Sequence, residues 1–86
     1  MQGEFPLRSD FEWKKLGDTY QLTNKSTGRD FKLDPVSFLV WIQCDGKTTV
    51  DEIVDVFSVG GNRDIIKTTI TGVLEKLTEG KAIEWV

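Results

Sequence analysis

The chain contains no histidine. The side chain most used as a general base and zinc ligand is therefore missing, and no Ser-His or Cys-His pair can form. A single cysteine, Cys44, rules out an intrachain disulfide. Apolar residues and Asp45 flank it, and none of them would stabilise a thiolate, so it reads as a small buried or half-buried side chain. No apolar run approaches the ~20 residues that span a bilayer. The opening MQGEFPLRSD has no apolar signal-peptide core, so a cytoplasmic protein is the default expectation. Basic residues are outnumbered 11 to 14, for a formal net charge of −3. Nucleic-acid binders normally carry a basic face, and anionic membranes repel net negative charge, so neither partner is expected. No phosphate loop, metal cluster or carboxylate constellation is recognisable, so the expectation is a protein without catalysis or cofactor.

Eighty-six residues, 38% hydrophobic and 29% charged, make one globular domain with no room for a second core. Residues 1–10 carry a Gly, a Pro and scattered charge and read as an extended N-terminal arm, with Phe5 and Leu7 free to pack on the body. Residues 11–86 form the domain. Phe11 to Leu16 alternates, with Phe11, Trp13 and Lys15 on one face. Gly17-Asp18 is a two-residue turn, and Thr19 to Lys25 alternates again with Tyr20 and Leu22 on one face. Those features define a hairpin. Asn24 to Gly28 is a turn cluster. Arg29 to Leu33 is a third strand, with Phe31 and Leu33 inward and Asp30 and Lys32 outward.

The stretch Leu33 to Phe57 is the most patterned. Asp34 is a candidate N-cap, and Pro35 follows where its missing N–H costs nothing. Val36, Phe38, Leu39, Val40, Trp41 and Ile42 fill almost every direction, and a helix apolar all round is normally buried. Asp45-Gly46 is a turn dipeptide with a glycine suited to ending a helix. Thr49 and Glu52 have capping-box spacing, and Val50, Ile53, Val54 and Phe57 form a buried stripe. A third helix starts at Asn62 or Asp64, runs to Glu79 and ends at Gly80, with Ile66, Ile70, Val73, Leu74 and Leu77 inward. The tail from Lys81 forms a small strand or simply packs. Trp13, Tyr20 and Trp41 read as core or sheet-face residues, and Trp85 as partly exposed. The fold class is α+β: a three-stranded antiparallel sheet followed by a three-helix bundle, winged helix-turn-helix-like in outline.

Leu33-Asp34-Pro35, Trp41, Cys44-Asp45-Gly46, Thr49-Val50 with Glu52-Ile53, and Val73-Leu74-x-x-Leu77 before Gly80 together resemble the PqqD family. These are small recognition elements for ribosomally made peptides awaiting modification. The resemblance runs from about Trp13 to Ile83. It implies a non-catalytic peptide chaperone that takes the leader of a precursor peptide as an added strand on the edge of the third strand. The groove is closed by the third helix, and the peptide is presented to a modifying enzyme, often a radical SAM protein. The matched motif residues are mostly scaffold; the geometry of that edge and groove, rather than a signature, carries the site over to Arg29, Asp30, Phe31, Lys32 and Leu33 on the strand, and Ile65, Thr69, Gly72, Val73 and Lys76 on the helix.

Physical features agree with such a site. The third strand contains no proline, so its backbone donates on both sides. Small residues at Thr69 and Gly72 leave a trough, although Gly72 also suits close helix–sheet packing. The acids Asp51, Glu52 and Asp55 sit in helix two without a base beside them. They favour the helix dipole or form a docking face for an enzyme. A winged-helix DNA-binding regulator is the alternative, weakened because Arg63, Lys67 and Lys76 are offset by Asp64, Glu75 and Glu79. An open edge also leaves both monomer and homodimer in play.

Overall fold

The computed structural model describes residues 4–86; the first three residues of the expected arm lie outside the described residues. In chain order the elements are β1 (Pro6–Arg8), β2 (Phe11–Leu16), β3 (Thr19–Asn24), β4 (Asp30–Leu33), α1 (Pro35–Gln43), α2 (Val50–Phe57), α3 (Arg63–Glu79) and β5 (Ile83–Trp85). The expected α+β arrangement is present, with strand order β2-β3-β4 and all pairs antiparallel.

Turn chemistry sets the meander. Gly17, at φ 61, begins a two-residue loop of the kind whose twist matches the flanking strands. The Asn24 carboxamide accepts the N–H groups of Ser26 and Thr27 at 2.8 and 3.2 Å, folding the second loop back on itself. Trp13 opposes Leu22, and Leu22 opposes Phe31, so the apolar residues of all three strands share one face. The other face carries Glu12, Lys14, Gln21, Thr23, Asp30 and Lys32.

Aromatic packing joins that inner face to α1. The Tyr20 and Phe38 rings stack at 3.9 Å with 3° between planes, and Trp13 leans on Phe38 at 4.9 Å. Leu22, Val40, Ile53, Val54, Ile70, Leu74 and Leu77 complete the core with α2 and α3. The Thr49–Glu52 capping box is formed, and the Asn62 carboxamide caps α3 through the N–H groups of Asp64 and Ile65.

Several details depart from expectation. Strand β3 ends at Asn24 and β4 begins at Asp30, so Arg29 lies in the loop. Helix α1 is not buried all round: Val36 is 45% and Leu39 49% exposed, because the sheet, α3 and the C-terminal tail cover only its other sides. Asp34 makes no side-chain bond to a helix N–H; its carboxylate accepts the Ser37 hydroxyl instead. Gly46 does take a positive φ of 77, but past the end of α1. Its N–H donates to the Pro6 carbonyl at 2.9 Å.

The end of α3 is a Schellman motif in which Lys81, not Gly80, takes the left-handed φ of 59. Ala82 N–H donates to Leu77 carbonyl and Lys81 N–H to Thr78 carbonyl, at 2.9 and 3.0 Å. The arm and the tail find each other. Strand β1 pairs antiparallel with β5 and bridges Asp45 on its other side. Trp41 Nε1 donates to Ala82 carbonyl at 3.1 Å, locking the tail over α1. The tail therefore takes the strand option, and the arm is a paired element as far as it is described.

Candidate functional site

Among the described residues strand β4 has a partner on one side only, since β3 lies between it and β2. Which backbone groups it leaves free follows from one hydrogen bond. Asn24 N–H donates to Arg29 carbonyl at 2.7 Å, which makes Asn24 and Arg29 a hydrogen-bonded pair. Pairs alternate along an antiparallel ladder, so Phe31 with Leu22 and Leu33 with Tyr20 bond inward. The N–H and C=O groups of Asp30 and Lys32 then point away from the sheet. They are unpaired and exposed, offering two donors and two acceptors to another strand.

Helix α3 runs beside this edge. Two hollows line this flank of α3, one against the start of β4 and one against the start of α1. The first, about 360 Å³, is lined by Phe11, Arg29, Asp30, Phe31, Gly80 and Lys81 among others. The second, about 440 Å³, lies between Val36 and Ser37 of α1 and Thr69, Gly72, Val73 and Lys76 of α3. Thr69 to Gly80 spans roughly 16 Å of helix, the length of about five extended residues.

The first hollow is floored by Phe31, whose ring meets Phe11 edge-on at 5.7 Å. A Cβ at Gly80 would sit 3.5 Å from the Phe31 ring, an ordinary van der Waals contact, so the helix end lies close to β4 without requiring a glycine there. In the second hollow a Cβ at Gly72 would meet no atom within 4 Å. Close helix–sheet packing therefore does not account for Gly72. Its missing side chain simply leaves open space.

Charges around the trough are mixed. Gln21 Nε2 holds the Asp30 carboxylate at 2.7 Å across the outer face. The Ser37 hydroxyl bonded to Asp34 holds that carboxyl below its usual range. Lys32, Lys76 and Lys81 are exposed. The acids of α2 do have basic neighbours, which arrive from α3. Arg63 pairs with Asp55 and Asp51, and Lys67 reaches Asp51 at 3.7 Å. That ion-pair network satisfies Asp51 and Asp55 within the fold.

Of the residues singled out in the sequence, Arg29, Asp30 and Phe31 share the first hollow and Thr69, Gly72, Val73 and Lys76 the second. Lys32 contributes its outward backbone, and Leu33 packs into the core. Ile65, 64% exposed in the first turn of α3, lines neither hollow. Sequence reasoning passed over Val36, Ser37, Gly80 and Lys81. Val36 was hidden by an apolar pattern that offered no polar face to contrast with it. Cys44 is fully buried, donates weakly to the Val40 carbonyl, and burial pushes its thiol up to about 12. Among the described residues no group of three His, Cys, Asp or Glu could hold a metal ion, and no helix is long and apolar enough to cross a membrane.

An α+β domain with a free strand edge lying along a helix is the class of protein these features define. No protein-family model and no curated protein sequence matches the chain. Among solved structures it is similar to TbiB1, solved in complex with the TbiA(beta) leader peptide. The TM-score is 0.75, with 23% identity over 91% of this chain and 94% of that one. At that identity the likeness establishes the shared fold.

Proposed function

We propose that this chain is a non-catalytic peptide-binding module of the PqqD type. It captures the leader of a ribosomally made precursor peptide by strand addition to β4 and presents it to a modifying enzyme of the radical SAM kind. The observation that carries this reading is the pair of outward-facing backbone units at Asp30 and Lys32 beside a helix with room at Gly72. The leader-bound state of the similar structure TbiB1 supports it.

The two sheet edges differ in a way that favours β4. The free edge of β2 carries Lys15 on the inner face and Lys14 on the outer, a pattern that deters unrelated strands. The inner face of β4 carries Phe31 and Leu33 and has α3 beside it, so an incoming strand finds backbone partners and apolar contacts together. DNA binding fits less well, because Arg63 and Lys67 are engaged by the acids of α2.

Lys32→Pro tests the site cleanly. The Lys32 N–H faces outward, so its removal breaks no bond to β3, and proline is tolerated on an edge strand. One lost bond that also strands a leader carbonyl costs about 1–3 kcal/mol, a loss of roughly tenfold or more in affinity. Calorimetric titration with a synthetic leader from a precursor gene adjacent to its own measures it. Unchanged affinity in a folded Lys32→Pro protein places the peptide elsewhere.

A further inference from the structure

We propose that the free edge of β2 is a self-association surface, on which a second copy of this chain docks by antiparallel pairing of β2 with β2 about Trp13. The proposal goes beyond peptide capture and stands independently of it.

The ladder that frees Asp30 and Lys32 on β4 also determines which groups of β2 are free. Asn24, Leu22 and Tyr20 direct their backbone groups toward β4, so Thr19, Gln21 and Thr23 direct theirs toward β2. Leu16, Lys14 and Glu12 answer them. Trp13 and Lys15 are left with N–H and C=O groups pointing away from the sheet, and Phe11 with an outward carbonyl, since its N–H donates to Ser9 carbonyl at 2.8 Å. Among the described residues no strand pairs on that side. From Glu12 to Leu16 the strand is exposed throughout, and Trp13 keeps 51% of its surface open, which is unusual for a tryptophan on a sheet's apolar face.

One register makes this edge complementary to itself. With Trp13 opposite Trp13, the two residues exchange both backbone bonds, and each Lys15 N–H meets the Phe11 carbonyl of the copy. On the outer face Glu12 lies opposite Lys14 of the copy, and Lys14 opposite its Glu12, giving two opposite-charge cross-strand pairs. On the inner face the two half-exposed Trp13 rings cover each other, and the Lys15 stem lies over Phe11 of the copy. Lys14, one of the two lysines that deter an unrelated strand, therefore finds its acid in a second copy. A two-fold axis through this edge is an isologous contact that closes on itself.

The other edges are less suited. At β4 the helix α3 stands beside the edge, and a second copy's α3 would claim the same space. Strand β5 offers only three residues. In the β2-paired dimer the two β4 strands lie at the far ends of one continuous sheet, so both peptide edges stay open.

The contact is small, below the ~1,200 Å² of stable complexes, so association belongs to the weak, concentration-dependent class. The test is sedimentation velocity on the full chain from about 1 µM to about 1 mM, the range in which such contacts dissociate. The wild type forms a reversible dimer. Glu12→Lys and Lys14→Glu each place like charges opposite one another twice and weaken self-association about tenfold. An equimolar mixture of the Glu12→Lys chain with the Lys14→Glu chain regains a dimer, because each acid again faces a lysine. Lys15→Pro removes an outward N–H and weakens the dimer without touching the bonds to β3. A wild type that stays monomeric throughout, a dimer indifferent to the charge changes, or a mixture no tighter than its components overturns the proposal.

Discussion

Gly72 is a helix-interior glycine with nothing near its missing side chain. Such a residue costs about 0.5–1 kcal/mol relative to alanine, and no packing contact offsets it. Gly72→Ala is therefore expected to raise the stability of the free protein by that amount, read from urea melts. The same change narrows the second hollow, so leader affinity falls several-fold in titration. Stability and affinity moving in opposite directions mark a residue retained for a ligand. Phe31 is a poorer probe, since it packs on Phe11 and against Gly80, and its loss disturbs the sheet. Residue-scale features were unevenly legible in the sequence. The caps at Thr49 and Asn62 depend on neighbours within one turn and were readable. The cap at Asp34 was not, because the Ser37 hydroxyl competes for the same carboxylate. For Gly72 the sequence left two meanings open, and only the empty space around it separates them.

At the scale of elements, the sheet faces followed directly from alternation, because a one-residue slip would turn the inward set of Phe11, Trp13, Tyr20, Leu22, Phe31 and Leu33 to the outer face. Helix α1 was harder. Its apolar residues surround the axis, so no stripe told which side meets the sheet and which leaves Val36 and Leu39 open. The pairing of β1 with β5 was not legible at all. Two three-residue strands from opposite ends of the chain carry no local signal of each other. The joint between α3 and β5 is mildly strained, since Lys81 holds a φ of 59 that suits glycine. Lys81→Gly is expected to stabilise the protein by about 1 kcal/mol, seen as a higher melting temperature. Lys81 also lines the first hollow, so a simultaneous change in leader affinity would separate its two roles.

The whole molecule responds to pH through a few groups. Asp34 and Asp45 are held below their ordinary value, Asp34 chiefly by the Ser37 hydroxyl and Asp45 by the Lys47 N–H. A carboxyl with a lowered folded pKa contributes stability above its unfolded value of 3.8, and that contribution is lost as the pH falls through the folded value. Cys44 behaves oppositely. Its thiol is raised from 9.0 to about 12 by burial, so its contribution is present below 9.0 and lost as the pH rises toward 12. Urea melts across pH are expected to show a plateau at neutral pH with a decline on each side. Asp34→Asn should shallow the acid limb and Cys44→Ala the alkaline one.

Under the proposed function one edge of the sheet receives the peptide, and amide hydrogen exchange reads which edge residue by residue. The Asp30 and Lys32 N–H groups face outward in the free protein and exchange rapidly. Saturation with a synthetic leader peptide is expected to slow both markedly and leave the outward amides of Trp13 and Lys15 unchanged. At a protein concentration below that of self-association, leader-induced protection at Trp13 and Lys15, or peptide binding with Asp30 and Lys32 still exchanging freely, would contradict strand addition at β4.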